Sequence, residues 1–330
     1  MATVGTNLYT LTDWARRLDP KGKLDKIVNV LAETNEIIDD ALFKMGNLKT
    51  GHKTTVLTGL PTITWRKLNR GVQPSKFTTV QVTDTCGMAT ALAKADMELV
   101  KLNGGGTMAR LAEEKPYLEA MNQDVAGGLF YYDTDTDPEK FLGLSARYPY
   151  SDAPNVVNNG GSGSDVTSIW LVGWGENSVH MIFPEGSKAG IDTIDVGKGD
   201  PILTGDGQTP EGEFLAYVSW YMWNIGLCVR DWRYIVRVCN IETAGDENTF
   251  DHNALIDAYV KIPNIKTCKP ALYCNETIYA QIAKAATDSN NRIFTQSKDA
   301  FGSPVNEFWG IPVRKCDQIL NTETALTATP

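Results

Sequence analysis

The stretch Gly51-His-Lys-Thr-Thr-Val-Leu-Thr-Gly-Leu-Pro-Thr-Ile-Thr64, with Leu68-Asn-Arg-Gly-Val-Gln-Pro-Ser75 and Phe77-Thr-Thr-Val-Gln-Val82 after it, decides how the rest of the chain is read. The outer runs are rich in β-branched residues and the middle in turn formers, the pattern of two strands joined by a long loop. The face alternation is weak, threonine is abundant and large apolar side chains are few. The hairpin therefore has little core of its own to sit on. Such an arm makes sense if another subunit covers it.

Before this hairpin, Leu24, Ile27, Val28, Leu31, Ile38, Leu42 and Met45 recur at helical spacing, which predicts an amphipathic helix closed by Gly46 in a left-handed C-terminal position. After it, Ala89–Leu102 reads as a helix and Gly104-Gly-Gly106 breaks the pattern. A longer helix follows from about 108 to 130, with a kink or break expected at Pro116. The acidic run Asp133-Thr-Asp-Thr-Asp-Pro138 and the stretch Gly160-Gly-Ser-Gly-Ser164 read as surface connections. Thr167–Trp174 and Val179–Phe183, flanking Gly175-Glu-Asn-Ser178, predict a second hairpin, and a loop over 197–212 leads into an extended segment over 214–238. The last quarter alternates: a helix over His252–Lys261, a strand over Ala271–Cys274, a helix over Glu276–Ala286 capped by Asn275, and a strand over Trp309–Val313. Helices and strands mixed without a regular βαβ rhythm indicate an α+β protein.

Composition narrows the function classes. The chain has 330 residues, 42% hydrophobic and 22% charged, enough to bury one large core or two smaller ones. No apolar run approaches the roughly 20 residues of a membrane span, and residues 1–20 lack the basic start and apolar centre of a signal peptide. A soluble product made in the cytoplasm is the expectation. A formal charge of −9 argues against wrapping nucleic acid, which needs clustered Lys and Arg. The cysteines at 86, 228, 239, 268, 274 and 316 form no C-x-x-C pair, so reduced thiols are expected.

No motif for chemistry survives inspection. His52, His180 and His252 stand at no metal-ligand spacing from one another or from a cysteine, so a zinc site is not expected and His180 reads as a packed strand residue. Asp133-x-Asp135-x-Asp137 opens like a calcium loop, but Pro138 replaces the turn glycine and Leu144 the closing glutamate. Gly104-Gly-Gly-Thr-Met-Ala-Arg110 matches neither phosphate-loop pattern and reads as a hinge. Ser162 lacks a nucleophile elbow because Ser164 replaces its second glycine, and Cys86 and Cys274 read as buried, inert thiols. Asn275-Glu-Thr277 fits a glycosylation acceptor, though helix capping is the sounder role for Asn275. Trp220, Tyr221, Trp223, Trp232 and Tyr234 lack a basic surround and suit a core or a subunit interface. No catalytic, cofactor-binding or metal-binding residue is expected, and no cofactor. Two rival readings remain open: a soluble enzyme with a small-molecule or phosphate pocket near Gly104–Gly106, and a carbohydrate-binding module using the tryptophans.

Several linked phrases carry a family resemblance: Asp13-Trp-Ala-Arg-Arg-Leu-Asp-Pro20, Gly51-His-Lys-Thr-Thr-Val56, Gly59-Leu-Pro-Thr-Ile-Thr-Trp65, Gly71-Val-Gln-Pro-Ser75, the segment from Asp124 onward, and Val229-Arg-Asp-Trp-Arg-Tyr234. In this order they resemble the major capsid proteins of short-tailed bacteriophages related to epsilon-fifteen and the Bordetella phages, which look like members of the Hong Kong 97 capsid fold. The resemblance implies an N-terminal arm over 1–50 and an E-loop hairpin over 51–85. It implies a peripheral domain over 86–130 and 167–245 with a spine helix at about 108–130, and an axial domain over 131–166 and 246–330. The phrase Trp309-Gly-Ile-Pro-Val313 follows the peripheral strands instead of preceding them, which implies a permuted topology. The implied function is structural: copies join through hexamers and pentamers into an icosahedral shell around the phage genome, with no enzymatic activity. Implied partners are the chain itself, a cement or decoration protein, a scaffolding protein and a portal. Packaged double-stranded DNA is held without sequence-specific binding, no membrane is involved, and the product resides in the virion. Lys53, Lys67 and Lys76 lie on the E-loop. Cross-linking through them is not expected, so particles heated in detergent should release only monomers.

Overall fold

The strand that organises the fold is Val166-Thr-Ser-Ile-Trp-Leu-Val-Gly-Trp174, in which every residue is buried. A strand hidden on both faces needs near-continuous apolar character rather than alternation, and this one has it. The computed structural model describes residues 35–102, 104, 107–205, 212–245, 247–287, 294–298 and 304–329. In chain order the elements are α1 (Ile37–Asp40), β1 (Phe43–Met45), β2 (Gly51–Gly59), β3 (Thr78–Asp96), α2 (Met97–Leu102), α3 (Thr107–Tyr131), α4 (Leu144–Arg147), β4 (Val156–Asn158), β5 (Val166–Trp174), β6 (Val179–Phe183), β7 (Asp192–Asp195), β8 (Ile202–Gly205), β9 (Glu213–Val229), β10 (Ile235–Glu242), α5 (His252–Lys261), β11 (Lys269–Cys274), α6 (Glu276–Thr287), β12 (Phe294–Lys298), β13 (Pro304–Phe308) and β14 (Ile311–Lys315). The chain divides into two units: Met88–Val125 with Gly190–Trp223, and Thr34–Gly87 with Ala126–Ala189 and Asn224–Pro330.

In the larger unit β5 pairs antiparallel with β10 on one side and β11 on the other, while β4 extends β10 and β14 extends β11, both in parallel. Ile169, Leu171, Val236 and Val238 on this sheet pack with Leu255 and Ala258 of α5 and Ile278 and Ile282 of α6. Both helices start where the sequence supplies a cap: the Asp251 carboxylate accepts from the Asn253 N–H at 2.9 Å, and the Asn275 side-chain oxygen from the Ile278 N–H at 2.9 Å. Arg237, on β10, is buried within the sheet. Its guanidinium donates to Glu323 (2.9 Å), Ser168 (3.0 Å) and the Tyr148 carbonyl (3.1 Å), and lies 4.9 Å over the Trp170 ring.

The smaller unit holds a second charge cluster, partly buried. Arg110 of α3 donates to Glu114 and Asp195, both at 2.8 Å, and to the Ser219 hydroxyl at 2.7 Å; the Tyr221 hydroxyl donates to Glu114 at 2.8 Å. β7 and β8 each pair antiparallel with the first part of β9. The Arg110 guanidinium holds the Asp195 carboxyl below its ordinary range, since it favours the charged form.

Several sequence expectations give way here. The helix expected to reach Met45 ends at Asp40, where Ala41 turns extended (ψ 134°), and β1 follows, paired in parallel with β6. The part of that expectation over 24–34 lies outside the described residues. Arg314 grips Glu36 (2.8 Å) and Asp40 (3.1 Å), which pins the short helix, and Gly46 donates to the Phe183 carbonyl instead of capping a helix. Ala89–Asp96 is the end of the 19-residue strand β3, and only Met97–Leu102 is helical. α3 continues as one helix through Pro116, so the chain does not break there. β5 and β6 form no hairpin; they meet at a single position, Trp174 with Val179, because β5 is claimed by β10 and β11, and β6 by β9 and β1. A short strand, β8, lies inside the loop expected over 197–212, and the last expected strand starts at Ile311, since Trp309 sits at φ 49° in the turn before it.

Candidate assembly interface

The hairpin read from the sequence is present and its root is firmly built. β2 and β3 pair antiparallel from Gly51 opposite Thr85 to Leu57 opposite Thr79, and a bulge separates Leu57 from Gly59. Glycine is required at 51 because a Cβ there would stand 2.0 Å from the Asp84 carbonyl oxygen. Asp84 is buried and its carboxylate takes Arg147 at 2.7 Å and the Val229 N–H at 3.4 Å, while Arg147 also donates to the Leu227 carbonyl at 3.1 Å. These bonds fasten the hairpin root to α4 and β9 within one unit. Replacing Asp84 by alanine leaves Arg147 and an N–H without their acceptor. Because Arg147 retains some solvent access, the expected loss is about 2 kcal/mol, read as a lower urea midpoint of the isolated subunit.

Away from the root the arm becomes bare. Leu60 is 81% exposed, Ile63 85%, Trp65 96% and Leu68 90%, with Val72, Phe77 and Val80 also exposed. Residues 60–77 form no strand; Ser75 donates to the Thr62 carbonyl at 2.9 Å, and a turn at Lys67–Arg70 places Asn69 at φ 59°. Contiguous large apolar side chains in water mark an interaction surface. The apolar character continues at the root into a groove of about 520 Å³ between the hairpin (Val56, Val80, Val82) and Tyr148, Pro154 and Trp232. Sequence reading found the hairpin but underrated its tip: Leu60, Ile63, Trp65, Leu68, Val72 and Phe77 all fall in the segment between the strands, a density of apolar residues unusual for a loop.

The other residues weighed for chemistry scatter, with one exception. Gly104 sits at φ +90° with nothing within 4 Å of where a Cβ would point, and residues 105 and 106 lie outside the described residues. Asp133 accepts from the Asp135 N–H at 3.0 Å, making a local turn. Ser162 is exposed; Cys86 is pushed up to about 11 by burial, with Asp84 adding to the shift, and burial raises Cys274 further. Asn275 is the helix cap. Of the aromatic set, Tyr221 and Trp223 are buried whereas Trp220 and Trp232 are half exposed. Lys53, Lys67 and Lys76 are exposed on the hairpin, and all six cysteines are free. The exception is that His52, His180 and Cys228, far apart in sequence, come together in the interior.

Comparison with known proteins agrees with a surface built for assembly. The family described as Major capsid protein GP7 matches residues 19–327. A chain in the near-atomic structure of bacteriophage Epsilon15 is 33% identical, with a TM-score of 0.73, over 99% of this chain and all of that one. The capsid of a native GTA particle (10% identity, TM-score 0.47, 71% of this chain and 99% of that one) is a fainter likeness. So is the SrpI encapsulin of Synechococcus elongatus (8%, TM-score 0.47, 74% and 100%). No curated protein matches.

Proposed function

We infer how this protein works from the premise that it belongs to the major capsid protein GP7 family. It is a structural component of the virion, the major capsid protein of a bacteriophage, with the α+β, Hong Kong 97-like capsid fold, and copies of it build the icosahedral shell. The reading of a phosphate-pocket enzyme at Gly104–Gly106 falls with this family membership, and the glycan-binding reading with it.

The finer mechanism is assembly through ring contacts. A heterologous contact that closes on itself makes pentamers and hexamers, and the hairpin over 51–85 laps across the neighbouring copy to tie ring to ring. The observation that carries this is the row Leu60, Ile63, Trp65 and Leu68, almost wholly exposed in the single chain. Residues 1–50 act as a second arm, and α3 is the spine. The unit of Met88–Val125 with Gly190–Trp223 supports a peripheral domain. β5 and β10 go with the axial domain rather than the peripheral one, because they share a sheet with β11 and β14. In this arrangement axial strands from both sides of the peripheral segment form one sheet, which supports a permuted order. Cement, scaffolding and portal proteins are the further partners, and a net charge of −9 suits a shell that encloses DNA without gripping it.

Size-exclusion chromatography and negative-stain electron microscopy of the purified chain at rising concentration test this. Rings or closed shells are expected; a compact monomer that persists even with scaffold candidates added contradicts the assembly mechanism.

A further inference from the structure

Among the described residues, a cluster of metal-ligating side chains that the assembly mechanism leaves unused joins the root of the hairpin to the sheet. His52 lies on β2, and His180 on β6 stands directly opposite Cys228 at the end of β9. One nitrogen from each imidazole and the Cys228 sulfur all lie within 4.8 Å of one another, and all three residues are buried. The rings sit 5.9 Å apart, edge to face at 77°. By hydrogen-bond geometry neither ring nitrogen of either histidine has a partner, although the Gly175 backbone lies near enough to act on His180. A neutral imidazole carries one donor and one acceptor, so two buried histidines leave up to four groups without partners. Each such group is destabilising when nothing replaces its water. Native interiors rarely carry that cost in one spot without a reason.

We propose that His52, His180 and Cys228 are a built-in site for one borderline-soft divalent cation, zinc being the metal this ligand set suits, which staples the hairpin root to β6 and β9. Two imidazoles and a thiolate are ordinary zinc donors, and three protein ligands leave one coordination position for water. Tetrahedral zinc places such donors about 3.5 Å apart, so side-chain adjustments of roughly an ångström close the site. The surroundings favour the ligand form of the histidines: burial, with the Arg230 charge next, lowers both, His180 to about 4, and keeps them neutral. The thiol is the harder ligand. Burial pushes Cys228 up to about 12 with Asp84 adding to it, so binding must release one proton from the sulfur to solvent, and the thiolate–metal bond must drive that release. Arg230 and Lys44 stand near enough to influence the histidines and oppose a second positive charge, while Asp84 offsets it.

The proposal stands independently of the assembly mechanism and is tested on full-length chain unfolded with a chelator, then refolded with Zn(II) and cleared of free metal. Elemental analysis is expected to give about one zinc per chain. Cys228→Ser and His180→Ala should fall to background, while Cys86→Ser, a neighbouring cysteine outside the cluster, retains the metal. Refolding with Co(II) gives a second readout that does not need the variants to fold: a thiolate-to-cobalt charge-transfer band with tetrahedral ligand-field bands in the unmodified chain. Folded, metal-free unmodified chain, or bound cobalt without the thiolate band, overturns the proposal.

Discussion

Replacing Trp65 and Leu68 together by aspartate is expected to leave the subunit folded and to abolish shell formation. Both side chains are exposed in the single chain and neither contributes to its core, so the subunit's urea midpoint should shift by no more than about 0.5 kcal/mol equivalent. On the proposed assembly mechanism the same residues are covered in the particle. A large apolar side chain transferred from water contributes about 2 kcal/mol, so losing two costs about 4 kcal/mol per contact, roughly a thousand-fold in the contact's affinity. Aspartate adds the cost of burying a charge, and a shell multiplies the effect because every copy repeats the contact. Light scattering and electron microscopy at concentrations where the unmodified chain assembles read the result. Normal shells from the doubly substituted chain would mean that the hairpin tip is not a contact between copies. Unfolded subunits would mean that the tip belongs to the subunit's own core.

The hairpin was legible because its signal is local: β-branched runs at both ends and turn formers between, with too little apolar surface to fold upon itself. The helices at His252–Lys261 and Glu276–Thr287 were legible for a similar reason, since Asp251 and Asn275 supply caps and the apolar positions repeat with helical period. Ala89–Asp96 misled because alanine and lysine favour helices. Yet Ala89, Ala91, Ala93 and Ala95 alternate with Thr90, Leu92 and Lys94, a strand period in helix-forming residues, and burial of Ala93 and Ala95 follows that alternation. Strand pairing was the larger blind spot. Thr167–Trp174 and Val179–Phe183 look like a hairpin until partners from β9, β10 and β11, remote in sequence, take their edges, and no local pattern announces a remote partner. The cluster of His52, His180 and Cys228 was hidden for the same reason: it is made by cross-strand register, not by spacing along the chain.

The second large effect concerns Arg237 and Glu323, where the C-terminal segment joins the sheet. Glu323 pairs its backbone with Val166, and its carboxylate receives Arg237 together with the hydroxyls of Ser168 and Tyr131. Burial above all, with the Glu323 charge adding to it, raises the Tyr131 hydroxyl well beyond its ordinary range, so it remains a donor at any pH the folded protein meets. Every polar atom of the carboxylate is thus engaged in an interior that water does not reach. Glu323→Ala removes the acceptor of three donors and strands a guanidinium, and Arg237→Ala strands a carboxylate; each is expected to cost 3–5 kcal/mol, on the order of a third of a typical domain's stability. Changing Arg237 to methionine and Glu323 to leucine together should recover part of that loss, because no buried charge is then left unpaired, but not all of it, since Ser168 and Tyr131 lose their acceptor. Urea unfolding of the unassembled subunit, with Arg237→Met and Glu323→Leu made singly and together to close a double-mutant cycle with the unmodified chain, measures the coupling. If Glu323→Ala shifted stability by less than about 1 kcal/mol, the C-terminal segment would be an appendage to the sheet; the expected loss makes it part of the core that holds the sheet in register.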